Sequence, residues 1–129
     1  MRARWAIAIA ALGLLGGCVA AAAAAAGAGT GIYLTSRGHE SVIVGTTENV
    51  EARSRAAMAE LGINVTEYSS KDGGDSRTLK GHVREEDVTI EMRRDSPTTT
   101  KTEVTARKNL VEWDKDYAKE VLNKIIATK

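Results

Sequence analysis

The chain holds one cysteine, Cys18, and it follows Leu15-Gly16-Gly17. Gly16 and Gly17 carry no bulk, so an extended backbone there can enter a protease cleft. The thiol directly after them is the one nucleophilic sulfur available for conversion to a thioether. The preceding residues suit the same chemistry. Arg2 and Arg4 give a positive start, Ala6 to Leu15 is uncharged and apolar, and Gly16-Gly17 is a small-residue cleavage site. With its sulfur used in this way, the chain has no thiol left for a disulfide.

Leu15-Gly16-Gly17-Cys18 resembles the lipobox of bacterial lipoproteins, in which a signal peptidase cuts before a cysteine that carries diacylglycerol. The resemblance implies cleavage between Gly17 and Cys18, lipid on Cys18, and attachment to a membrane. It also implies a sorting rule for cells with two membranes: aspartate after the cysteine retains a lipoprotein at the inner membrane. Val19 is not aspartate, so an outer-membrane anchor with the domain facing the periplasm is expected. The expected division is a signal segment at 1–17, a lipidated cysteine with an Ala/Gly-rich tether at 18–31, and a folded domain at 32–129. The competing reading is an uncleaved membrane span, because residues 6–28 are uncharged and long enough. Alanine and glycine are weak membrane residues, and the apolar core stops where a signal peptide's should.

No other chemistry-bearing set converges. His39 falls in an expected turn and His82 on the polar side of an expected strand. A zinc site or a catalytic triad needs such residues to meet other ligands. HExxH, GxSxG and P-loop patterns are absent from the sequence. Glu85-Glu86-Asp87 lacks the alternating oxygen spacing of a calcium loop and reads as a solvated turn. Asp114, Lys115 and Asp116 read as helix capping and solubility. The expectation is a non-enzyme with no cofactor and no metal.

Composition narrows the class. Removing 17 residues from 129 leaves 112, enough for one domain. The loss of Arg2 and Arg4 takes the basic count from 18 to 16 against 17 acidic residues, a near-neutral balance that argues against nucleic acid and against a polybasic membrane patch. With no phenylalanine, the core must come from Val, Ile, Leu, Met and Ala.

The hydrophobic pattern predicts a two-layer α+β domain. A strand is expected at Ile32–Thr35 or Glu40–Thr46, with Val42 and Val44 on one side. Thr47 then caps a helix to Leu61 with Val50, Ala57, Met58 and Leu61 on one face around Ser54, Gly62 at C′, and an exposed Glu51–Arg55 pair. Alternation predicts strands at Ile63–Ser70 (Ile63 and Val65 inward), Arg77–Arg84 (Leu79, Gly81, Val83), Val88–Arg93 (Val88, Ile90, Met92) and Thr100–Arg107 (Thr102, Val104, Ala106). Charge pairing favours a register with Val83 opposite Val88 and Met92 opposite Val104, which sets Lys80 against Glu91 and Arg93 against Glu103. A last helix, Asp114 to about Thr128, presents Tyr117, Ala118, Val121, Leu122 and Ile125. The fold expected is a mainly antiparallel sheet of four to five strands with two helices on one face.

This order of elements, with the closing Leu110-Val-Glu-Trp-Asp-Lys-Asp-Tyr117 and the helix after it, resembles a family of small bacterial lipoproteins known only as a domain of unknown function. More remotely, the architecture is similar to the repeated domains of the lipoprotein C subunit of the outer-membrane β-barrel assembly machine. Neither resemblance supplies a catalytic residue. Two functions of different class follow. One is a membrane-anchored binding or adaptor module that meets an envelope protein by strand addition at a sheet edge or by side-chain contact on the wet sheet face, whose candidates are Thr78, Lys80, His82, Thr89, Glu91, Arg93, Glu103, Thr105 and Arg107. The other is a carrier of a small apolar ligand or lipid, held between sheet and helices by Met58, Met92, Tyr117 and Leu122.

Overall fold

A computed structural model describes residues 31–129. The signal segment, Cys18 and nearly all of the tether lie outside the described residues. Within them the order is β1 (Tyr33–Leu34), β2 (Gly38–Val44), α1 (Thr47–Glu60), β3 (Asn64–Lys71), β4 (Ser76–Val83), β5 (Glu86–Ser96), β6 (Thr99–Arg107) and α2 (Lys115–Ala127). The strands form one antiparallel sheet in the order β1-β2-β6-β5-β4-β3. Six strands, where four to five were expected, arise because the short β1 adds an outer rung to β2. Both helices lie on one face, α1 chiefly over β4 and β5, α2 over β2 and β6.

The core follows the periodicity. Leu79, Val88, Ile90, Met92, Val104 and Ala106 point from the sheet to Val50, Ala57, Met58, Val121, Leu122 and Ile125 on the helices, and all are fully buried. Ser54 sits among them, its hydroxyl donating to the Val50 carbonyl at 2.7 Å, so an apolar helix face can hold one serine. Helix α1 closes with a Schellman motif. The Gly62 N–H reaches the Ala59 carbonyl at 3.2 Å, the Ile63 N–H reaches Met58 at 2.8 Å, and Gly62 takes φ 72°. Met58 and Ile63 then settle on Gly81 of β4, where a β-carbon would lie 2.6 Å from Ile63 Cγ2.

Several expectations are corrected. The N-cap of α1 is Thr46, whose hydroxyl accepts from the Asn49 N–H at 3.1 Å. Thr47 is the first helical residue, and its hydroxyl donates to the Gly74 carbonyl at 2.8 Å. Val42 and Val44 share a side, but it is the outer one. Ser41 and Ile43 take the core, because β2 pairs Ser41 with Thr102 and Ile43 with Thr100. Val65 faces the helix side opposite Gly81 yet is 41% exposed, since β3 is the edge strand and α1 packs chiefly on β4 and β5. His39 lies within β2, not in a turn.

The register is also corrected. Val83 pairs with Glu86, Lys80 with Thr89, Met92 with Thr102 and Glu91 with Glu103. Turn geometry and burial decide it. Arg84-Glu85 forms a two-residue connection with Arg84 at φ 53°, a length that fixes Gly81 beside Val88 and Leu79 beside Ile90. Surface ion pairs contribute little against such buried pairs.

Candidate functional site

Strand alternation sends every second side chain away from the helices, so the register also lays out the outer face. Reading across hydrogen-bonded partners gives four rows. The first is Lys71, Ser76, Arg93, Lys101 and Val42, and the second is Ser69, Thr78, Glu91, Glu103 and Glu40. The third is Glu67, Lys80, Thr89, Thr105 and Gly38, and the fourth is Asn64, His82, Asp87, Arg107 and Trp113. All nine residues of the expected wet face therefore stand on one surface opposite the helices. They do not merely mix charges. A cationic row of Lys71, Arg93 and Lys101 runs beside an anionic row of Glu91, Glu103 and Glu40.

The acids of that row are more sheltered than the bases. Glu103 and Glu40 keep 14% and 23% of their side-chain exposure, against 46% for Lys101. Arg37 reaches Glu103 at 3.1 Å, and Lys101 reaches Glu40 at 3.6 Å. Between the two rows, on the β3 side, lies a shallow depression of about 280 Å³ lined by Ser69, Lys71, Ser76, Thr78, Glu91 and Arg93. Its groups are hydroxyls and opposite charges, suited to holding polar side chains or backbone of a partner rather than an apolar guest.

One end of the face is partly roofed. Trp113 forms a bridge with Arg107, and its ring takes Arg107 at 4.4 Å and Arg37 at 5.9 Å from the centroid. Thr105, expected on the open face, is consequently only 8% exposed. His82 Nδ1 and the Asp87 carboxylate share a hydrogen bond of 2.8 Å within the fourth row. The roof could not be read from alternation, because Trp113 belongs to a segment after the last strand.

Two clusters lie beyond this face. Glu51, expected in an exposed pair with Arg55, binds Arg55 at 3.0 Å and also Arg77 of β4, and its side chain is only 12% exposed. Burial pushes its carboxyl up, but hydrogen bonds from Arg77 and Arg55 outweigh that and hold it below the usual range. At the start of α2, Asp114 caps Tyr117 at 3.0 Å and is held low chiefly by that bond, while burial and the neighbouring Asp114 push Glu86 up. His39, beneath α2, is pushed down by burial and by Lys119.

The proposed ligand residues Met58, Met92 and Leu122 are fully buried in one core cluster, and Tyr117 is 8% exposed beside them. They pack on each other and on the sheet. Among the described residues no group of three or more His, Cys, Asp or Glu is placed to hold a metal ion, and no helix is long and apolar enough to cross a membrane.

Comparison with protein-family models, curated proteins and solved structures finds no match.

Proposed function

We propose that the chain is a lipid-anchored envelope protein whose α+β domain is a binding or adaptor module, working through the uncovered face of its sheet. In a cell with two membranes the anchor is in the outer one and the domain faces the periplasm. The lipobox-like Leu15 to Cys18 supports the anchor. The observation that carries the binding reading is the charge order of the outer face, with Lys71, Arg93 and Lys101 in one row and Glu91, Glu103 and Glu40 in the next. Such banding favours a partner surface with the opposite bands, and it fixes orientation and excludes wrong partners more than it adds affinity.

The test is cross-linking in the native membrane. A photoreactive residue replaces Thr78, at the edge of the depression, and cross-linked species are identified by mass spectrometry. One envelope protein captured from Thr78, and lost on Arg93→Glu with Lys101→Glu, supports the reading. Capture from an exposed α2 position such as Asn123 and not from Thr78 would place the contact on the other side and refute it.

A further inference from the structure

The two edges of the sheet are unequal. One is β1, two residues long, and the other is β3, eight residues with no strand on its outer side among the described residues. All of β3 is exposed except Ser69, which is half-buried. Long edges are ordinarily blunted by bulges, prolines and charges. Here the bulge is confined to Val65–Glu67, and Glu67 to Lys71 pairs regularly with Lys80 to Ser76 and contains no proline. Backbone alternation fixes what this stretch offers. The Arg94 N–H reaches the Asp75 carbonyl at 2.8 Å, so on β4 the backbone groups of Arg77 and Leu79 serve β5, and those of Ser76, Thr78 and Lys80 serve β3. Their partners Lys71, Ser69 and Glu67 therefore bond inward, and the N–H and C=O groups of Tyr68 and Ser70 point off the edge.

We infer that β3 pairs antiparallel with β3 of a second copy of this chain, about a two-fold axis at Ser69. Charge selects both the occupant and the register. With the axis there, Glu67 stands opposite the partner's Lys71 and Lys71 opposite the partner's Glu67, while Tyr68 and the partner's Ser70 exchange backbone hydrogen bonds. An axis on Glu67 or Lys71 would set like charges against each other, and one on Tyr68 or Ser70 leaves both charges unmatched. Glu67 has Lys80 at 3.5 Å yet keeps 61% of its side-chain exposure, so a second cation can reach it. On the helix side Tyr68 is 43% exposed, apolar area that an added strand covers. The pairing also extends the outer face. Ser69 and Lys71 form the β3 wall of its depression, and in the dimer the partner's Glu67 becomes the next group on that rim, so the two depressions adjoin across the axis. A contact this short makes a weak dimer. Copies held at one membrane by the anchor proposed above meet at raised local concentration, a step that rests on that reading.

The test is disulfide trapping in native membranes, with the full chain carrying Ser69→Cys. In this register the two α-carbons at position 69 face each other as a non-hydrogen-bonded pair about 4.5 Å apart, within the range a disulfide spans. Glu67→Cys and Lys71→Cys are the register comparisons, since like positions there lie about 13 Å apart along the strands. Thr89→Cys, two strands in from the edge, reports random collision. Oxidised chains are digested and the linked peptides identified by mass, which separates a link at 69 from one through Cys18. The dimer predicts a 69-to-69 link in large excess over links at 67, 71 or 89, a several-fold loss of it on adding Lys71→Glu, and its return on adding Glu67→Lys as well. No excess at 69, or a yield indifferent to Lys71→Glu, overturns the dimer, and on a chain whose mass shows lipid on Cys18 the anchor still stands. The 69-to-69 link on a chain without lipid supports the dimer and overturns the anchor. Position 69 linked to a different envelope protein and not to itself assigns the edge to that protein and overturns the inference.

Discussion

Glu91 of β5 stands directly opposite Glu103 of β6 on the outer face, two carboxylates brought together by a register that buries Ile90 against Val104. Arg37 attends Glu103, and Arg93 lies on the diagonal from it. Core pairing has set this register, and the charges on the wet side accommodate it.

Relief of that opposition is measurable. Glu91→Gln should stabilise the domain by about 0.2–1 kcal/mol, the scale of a cross-strand pair. The gain should shrink as salt screens the surface. Urea melts at low and high ionic strength give the comparison, and a destabilised Glu91→Gln would mean that Glu91 is held by favourable partners.

Glu51 ties α1 to β4 through Arg77. Glu51→Gln should cost about 1.5–3 kcal/mol, the range for hydrogen bonds to a charged group. Because the folded carboxyl is held below its unfolded value, its contribution is present above the unfolded pKa and is lost as pH falls through the folded one. Acid titration of stability should therefore flatten in Glu51→Gln, an outcome checked by denaturant melts across the carboxylate range.

Glu86 has the opposite sign. Its folded pKa is raised by burial and by Asp114, so the folded state holds the proton more tightly and that advantage disappears as pH rises through the folded pKa. At neutral pH the carboxylate is a cost, and Glu86→Gln should raise the melting temperature there and make little difference in acid. Equal shifts at both pH values would contradict the pairing.

Two strand glycines differ in what surrounds them. At Gly81 an added β-carbon meets the end of Met58 at 2.5 Å, the Ile63 methyl at 2.6 Å and the Asn64 backbone carbonyl at 2.9 Å, two side chains that can move and an edge-strand carbonyl it overlaps less, and Gly81→Ala should cost about 1–3 kcal/mol as overpacking does. At Gly38 it would lie only 2.0 Å from the backbone carbonyl oxygen of Val104, which is fixed in the ladder between two strands. Gly38→Ala should be the more damaging of the two in a thermal melt.

Much of this fold is legible in the sequence. Leu79, Val88, Ile90, Met92, Thr102, Val104 and Ala106 alternate inward as their spacing implies, and the α2 stripe from Tyr117 to Ile125 is buried as its period implies. Both helix ends marked by Gly62 and Asp114 form where expected. Register is less legible, because surface charge pairs that looked attractive are weak beside the burial of Ile90 and the short Arg84-Glu85 turn. The faces of β2 are hard to read from Ser41-Val42-Ile43-Val44, where apolar residues occupy both sides. Of the candidate site, the nine face residues come together, but the banding depends on register. The Trp113 roof depends on a loop that returns to β6, and neither is written in local periodicity.

Everything proposed for the domain depends on where Cys18 holds it, and palmitate labelling with membrane fractionation tests that most directly. The account predicts that the wild-type chain takes up label and sediments with membranes, with Val19→Asp moving it to the inner membrane where a cell has two. Cys18→Ser should lose the label and accumulate as a longer precursor retaining Arg2 and Arg4, since at about 0.8 kcal/mol per buried methylene the acyl chains supply the attachment. A wild-type chain that is processed, unlabelled and recovered away from membranes would contradict the account at its root.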